Sequence, residues 1–126
     1  MSKKQVKSDE APSPIGPYSQ AVKAGNLLFI SGQIPMNPST SEIIKGSIDD
    51  ETHRVMKNLL AILNEEGLNF QHVVKTSIFV KDLNNFVRIN KVYGEYFNED
   101  PPARETVEVS RLPKDVNIEI SCIAID

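Results

Sequence analysis

The segment Val116-Asn117-Ile118-Glu119-Ile120-Ser121-Cys122-Ile123-Ala124-Ile125 constrains the fold more than any other. Its β-branched residues predict a strand. With side chains alternating between faces, Ile118, Ile120, Cys122 and Ala124 share one side, and Asn117, Glu119, Ser121, Ile123 and Ile125 share the other. The later half is therefore apolar on both faces, and such a strand is normally buried on both. The chain has to supply two covers, or one cover and a neighbouring subunit.

The pattern upstream supplies one. Ser47, Asp49 and Asp50 are helix N-cap residues, and Val55, Leu59, Ile62 and Leu63 then recur on a single helical face that Gly67 closes. Asp82 is the cap of a second helix, in which Phe86, Ile89, Tyr93 and Phe97 form an apolar stripe that Pro101 and Pro102 stop. Ser19 to Lys23 and Leu27 to Ser31 flank Ala24-Gly25-Asn26 as a hairpin, with Gly32 ending its second strand, and Val73 to Val80 reads as a further strand. Pro35 to Gly46 reads as a surface excursion, and Ala11 to Pro17 as a stiff irregular loop. Two final strands, about Arg104 to Ser110 and Val116 to Ile125, surround a turn at Leu112-Pro113-Lys114-Asp115. The order is ββαβαββ, with room for a short strand before it. Two helices on one face of a mixed sheet make a two-layer α+β fold in one domain spanning 1–126. The other face is left to a partner.

Composition narrows the function. A formal charge of −3 gives no general attraction to nucleic acid. The single Cys122 lies in phase with Ile118 and Ile120, which predicts a buried, inert thiol and no internal disulfide, and no apolar run approaches a membrane span. The cytoplasm is the expected compartment, with organelle delivery left open. His53 and His72 have no second ligand at metal spacing, and no phosphate-cradling glycine loop or nucleophile elbow is present, so neither a metal nor a cofactor is expected.

The most informative polar positions lie in the last two strands. Pairing Val109 with Val116 matches Val107 with Ile118 and sets Glu108 opposite Asn117, Thr106 opposite Glu119 and Arg104 opposite Ser121. In that register Arg104, Thr106 and Glu119 cluster, within the roughly 7 Å that cross-strand diagonals span. The arginine fork suits a carboxylate, and a glutamate beside it can hold or deprotonate water. On residue types alone, a structural ion pair or the wet side of a hairpin is the commoner role for such charges. Tyr18 is open in the same way, as a substrate-orienting hydroxyl or as an anchor for the loop before it.

In order and spacing, several stretches carry more. Ile15-Gly16-Pro17-Tyr18-Ser19-Gln20-Ala21, Ser31-Gly32-Gln33-Ile34-Pro35, Phe79-Val80-Lys81-Asp82-Leu83, Pro102-Ala103-Arg104 and Arg111-Leu112-Pro113-Lys114-Asp115-Val116 together resemble the YjgF/YER057c/UK114 family, in its RidA-like branch. The resemblance implies a chorismate-mutase-like homotrimer with a central β-barrel and intersubunit clefts. It also implies cofactor-independent hydrolysis of 2-aminoacrylate, 2-iminobutanoate and 2-iminopropanoate to 2-keto acids and ammonia. Carried onto this sequence, Arg104 would hold the substrate carboxylate and Glu119 would position or activate water. Tyr18, Ser31 and Gly32 would line the cleft, and Phe86 and Asn90 would close it from the neighbouring subunit. Thr106 stands where many RidA-like sequences have cysteine, so thiol chemistry at that place is not required here. A non-enzymatic carboxylate-binding or chaperone-like trimer is the alternative. An endoribonuclease that inhibits translation fits less well with the net negative charge and the absence of a histidine pair or aromatic stacking platform.

Overall fold

A computed structural model describes residues 2–126. Strands β1 (Lys3–Val6), β2 (Ala21–Ala24) and β3 (Leu27–Gln33) are followed by α1 (Ile48–Glu65), β4 (Val73–Val80), α2 (Phe86–Gly94), β5 (Ala103–Glu108) and β6 (Ile118–Ile125). One six-stranded sheet runs in the order β1-β2-β3-β6-β4-β5.

Local signals act much as the sequence implies. Gly25, at φ +61°, turns the β2–β3 hairpin. The Ser47 hydroxyl accepts from the Asp50 amide at 3.1 Å, capping α1, and Asp49, Asp50 and Glu51 sit where the helix dipole favours negative charge. Val55, Leu59, Ile62 and Leu63 are all buried. Asp82 caps a 3-10 turn, Leu83–Asn85, that runs into α2, and α2 ends at Gly94, well before the prolines. The Pro35–Gly46 excursion is more tightly held than its composition suggests. Pro35 and Met36 are buried, and the Asn58 side chain on α1 donates to the Ile34 and Met36 carbonyls at 3.2 and 3.0 Å. No helix among the described residues is long and apolar enough to cross a membrane.

The last two strands do not form the expected hairpin. β5 lies at the sheet edge and pairs in parallel with β4, while β6 runs antiparallel between β3 and β4. Two physical reasons account for this. The β4–α2–β5 segment is a strand, a helix and a strand, and a helical crossover is the usual way to bring two consecutive strands parallel. An edge also tolerates β5, with its charges Arg104, Glu105 and Glu108, whereas β6 fills a central place where both of its edges are hydrogen-bonded.

Residues paired across neighbouring strands share a face. Arg104, Thr76 and Cys122 form one row, continued by Ile30, and Thr106, Ile78 and Ile120 form the next. This face carries α1 and α2, and Ile78, Ile118, Ile120 and Cys122 are buried beneath them. Burial pushes the Cys122 thiol up to about 12, so it stays protonated. The opposite face carries Phe29, Phe79, Val107, Glu119, Ile123 and Ile125, with Phe29 43%, Val107 41% and Ile125 39% exposed. No segment among the described residues covers it as a second layer.

Ile120 is fully buried between the helices and the sheet centre, so Ile120→Ala is expected to lower stability by about 2–5 kcal/mol in urea titration. Val87→Ala, at a residue 78% exposed, should stay within about 0.5 kcal/mol.

Candidate functional site

Arg104 projects from the edge strand towards α2 rather than towards β6. Its guanidinium carbon lies 5.0 Å from the Tyr93 ring centroid and 5.6 Å from that of Phe86. Phe86, Asn90 and Tyr93 fall on one helical face, so α2 offers Arg104 two aromatic surfaces about two turns apart. Tyr93 is buried, packs on Phe97 at 4.7 Å and shares a 2.8 Å hydrogen bond with the Thr76 hydroxyl on the neighbouring strand. Arg104 takes part in none of the ion pairs found among the described residues. Its sequence neighbour Glu105 points to the other face, where it pairs with Lys75 at 3.3 Å and accepts from Ser77. The forked donors of Arg104 are thus held by ring faces, which satisfy charge but no N–H group. Two residues on, and on the same face, the Thr106 hydroxyl oxygen is buried without a hydrogen-bond partner.

Glu119 belongs to a second group of residues on the open face. It pairs in register with Phe79 and lies against the backbone of Gly32. The β3–β6 ladder slips between Ile30 and Gln33, and Ser31-Gly32 form the irregularity. A bulge of this kind re-aims side chains. A Cβ at Gly32 would lie 2.7 Å from the Glu119 carboxyl carbon and 3.0 Å from its Cγ, so the glycine is there for space. Ser31 is tied down by its amide, which donates to the Gln20 carbonyl at 2.9 Å, and by its hydroxyl, which donates to the Ser19 carbonyl at 2.6 Å. Tyr18 is 49% exposed, and its hydroxyl accepts from the Ile15 amide at 3.3 Å. It lines, with Gly32 and Ile34, a recess of about 30 Å³. Gln20 secures the approach: buried, it accepts from the Ser8 amide and donates to the Ser8, Ala11 and Pro12 carbonyls.

The expected cluster of Arg104, Thr106 and Glu119 within one chain is therefore corrected. Arg104 stands beside Thr76 and Glu119 beside Phe79, and an odd separation along β4 puts the two on opposite faces of the sheet. Arg104, Thr106, Phe86 and Asn90 make one group; Glu119, Gly32, Ser31 and Tyr18 make the other. Phe86, expected to reach the cleft from a neighbouring subunit, lies on Arg104 of its own chain. A hollow of about 1040 Å³ between residues 42–46 and 114–117 is lined by neither Arg104 nor Glu119.

The two groups are chemically complementary. An unpaired guanidinium binds an anion, with a preference for the planar carboxylate. Burial raises the Glu119 pKa above the ordinary carboxylate value, which brings it closer to a pH at which it can exchange a proton with water. Burial also raises Tyr93, against the opposing effects of its Thr76 hydrogen bond and the Arg104 charge. The histidines are engaged elsewhere: His53 Nδ1 is 2.7 Å from the Tyr96 hydroxyl, and His72 Nδ1 accepts from the Asn69 amide at 3.1 Å. Among the described residues no group of three His, Cys, Asp or Glu side chains is placed to hold a metal ion. Sequence reading passed over Tyr93 and Thr76. Tyr93 fits the apolar stripe of α2, and only the parallel β4–β5 pairing shows what its ring and hydroxyl touch.

Residues 8–126 match the family model described as Endoribonuclease L-PSP. The chain is 56% identical to a RutC family protein of Pyrococcus horikoshii, over 97% of each chain. It is 43% identical to the chloroplastic Reactive Intermediate Deaminase A of Arabidopsis thaliana, over 97% of this chain and 65% of that protein. Among solved structures it is similar to a putative endoribonuclease of Thermotoga maritima, at TM-score 0.95 and 47% identity over 98% and 97% of the two chains. It is also similar to E. coli TdcF with bound serine, at TM-score 0.93 and 41% identity over 98% of each.

Gly32→Ala should push the Glu119 carboxylate away from β3 and towards solvent, at a stability change within about 1 kcal/mol because only the flexible end of the side chain has to give. NMR titration of Glu119 should then show its pKa falling back towards the ordinary value. A pKa as high as in the unsubstituted protein would show that this close approach does not fix the carboxylate.

Proposed function

Because the chain belongs to the Endoribonuclease L-PSP family, which takes in the RutC and RidA proteins, we propose that it is a cofactor-independent deaminase of 2-enamino and 2-imino acids, acting in the cytoplasm as a homotrimer. The observation that carries this reading is the guanidinium of Arg104, a partly buried residue, which lies over two rings and pairs with no carboxylate among the described residues. A relative whose name specifies reactive intermediate deamination supports the reaction, and a solved relative that holds serine supports a small 2-amino carboxylate as ligand class.

In this proposal the substrate carboxylate takes the Arg104 fork, and 2-aminoacrylate or its butanoate homologue tautomerises to the imine by moving a proton from nitrogen to C3. Water, held by Glu119, adds to C2; its oxygen forms the new C–O bond while the C=N electron pair moves to nitrogen and collects a proton. Collapse of the carbinolamine breaks the C–N bond, releasing ammonia and leaving the 2-keto acid. Imines hydrolyse in water unaided, so placing the carboxylate and the water is the main work required of the protein. The buried hydroxyl of Thr106 stands two residues from Arg104, where it can meet a polar atom of the same substrate.

Arg104 and Glu119 occupy opposite faces of one sheet, so the two can act on one molecule if each site is shared by two subunits. The open face, with Phe29, Val107 and Ile125 exposed, is the surface such an assembly would cover, and a closed trimer with a central barrel covers it on every copy alike.

The test couples threonine dehydratase to the protein and follows 2-ketobutyrate appearing from 2-iminobutanoate. The expected result is acceleration that Arg104→Ala lowers by about 10- to 100-fold in kcat/KM, the loss of a charge-assisted carboxylate contact. The rate should fall on the acid side through a pKa above the ordinary glutamate value, since the ionised form of Glu119 serves the water and burial raises its pKa. That limb should vanish in Glu119→Gln. A folded protein without acceleration would contradict the deaminase reading, and 2-ketobutyrate binding without turnover would replace it with a carboxylate-binding trimer.

A further inference from the structure

We propose that Tyr93 is a positioning residue that sets the affinity of Arg104 for a carboxylate, holding the guanidinium against its ring face so that the N–H donors stay free. This rests on the reading of Arg104 as the substrate's carboxylate anchor and adds the residue that prepares it.

Four features of the structure converge on Tyr93. Its ring centroid is the nearer of the two beneath Arg104, at 5.0 Å against 5.6 Å for Phe86. Phe86 is 36% exposed whereas Tyr93 is 6% exposed, so Tyr93 provides the fixed surface and Phe86 the solvent-facing one. Both ends of Tyr93 are secured, the ring by Phe97 at 4.7 Å and the hydroxyl by Thr76 at 2.8 Å. Thr76 is itself 2% exposed and is the register partner of Arg104 on β4, so the tether returns to the strand that carries the guanidinium's backbone neighbour.

The arrangement solves a particular problem. An arginine long enough to reach a ligand has several rotatable bonds, and ordering it when the ligand binds costs affinity. A carboxylate neighbour would order it but would also occupy the fork that the ligand needs. An aromatic face orders the cation while leaving its edge donors free. A phenol kept neutral by burial cannot turn into a competing anion.

Two measurements separate positioning from simple packing, and both use the intact chain. The first is the Arg104 Nε–H resonance, identified by its loss in Arg104→Lys, with 2-ketobutyrate titrated as the carboxylate probe. Ring currents should displace that resonance in the unsubstituted protein and in Tyr93→Phe, and in Tyr93→Leu the displacement should shrink to the part that the Phe86 ring supplies. The Kd for 2-ketobutyrate should rise roughly 3- to 30-fold in Tyr93→Leu and recover to within about threefold in Tyr93→Phe. The second keeps the shape of the side chain, which guards against a Tyr93→Leu protein that does not fold. Phenylalanines carrying increasing numbers of fluorines are placed at position 93, and Kd should climb stepwise as the negative ring face is drained. KM for the imine should follow Kd while kcat stays within about twofold, as expected when uniform binding is lost. A fluorination series with flat Kd, or an Arg104 resonance unmoved in folded Tyr93→Leu, would overturn the proposal. If the Kd pattern holds and the unsubstituted protein turns over no imine, the positioning role stands and the deaminase reading falls alone.

Discussion

Strand β6 organises this molecule because it is apolar on both faces and so has to lie between two covers. Its place between β3 and β4 puts Ile118, Ile120, Cys122 and Ala124 under the helices and turns Glu119, Ser121, Ile123 and Ile125 to the open side. With that strand central, β5 is left to the edge, and the crossover through α2 fixes its direction as parallel to β4. Arg104 then meets α2 because it stands on the helix side of an edge strand. Glu119 meets the β3 bulge because it stands on the other side of the central one. The separation of cation and carboxylate is therefore a consequence of how the sheet buries β6, and does not depend on any one side-chain contact.

Much of this was legible in the sequence, and what was missed has a physical cause. The cap at Ser47, the turn at Gly25, the apolar stripe of α1 and the burial of Cys122 all follow from short-range rules, and the structure keeps them, whereas Asp82 caps the 3-10 turn ahead of α2 and Phe97 lies beyond the end of that helix. The pairing of the last two strands did not follow. Matching apolar and polar positions across Leu112–Asp115 gave a self-consistent hairpin, but a hairpin would have left β5 and β6 sharing an edge that β4 needs. The β4–α2–β5 crossover, already visible in the order of elements, carries the deciding information. The residues of the candidate site could be named one by one from the sequence, while the expected grouping of Arg104 and Thr106 with Glu119 was wrong because grouping depends on strand order. Tyr93 went unnoticed for a related reason: at helical spacing it reads as core, and its second role appears only beside Thr76 and Arg104.

The two groups also differ in how they are made ready. Arg104 stands at the rim without an ion-pair partner among the described residues, where rings give it order without occupying its donors. Glu119 is half-buried against a glycine, where loss of solvent makes proton release harder and proton capture easier. In the proposed reaction the two groups, brought together across an interface, would supply an anion clamp and a water-holding carboxylate at opposite ends of a small planar molecule. On that proposal the open face has a functional reason to stay apolar as well as a structural one.

The most direct measurement mixes two impaired variants. Subunits carrying Arg104→Ala and subunits carrying Glu119→Gln are co-expressed in equal amounts, and imine hydrolysis by the mixed assemblies is compared with that of each variant alone. If each site takes Arg104 from one subunit and Glu119 from the next, every mixed trimer holds one site with both residues intact, and activity should return to about a quarter of the unsubstituted level. A mixture no more active than its components would contradict the shared site.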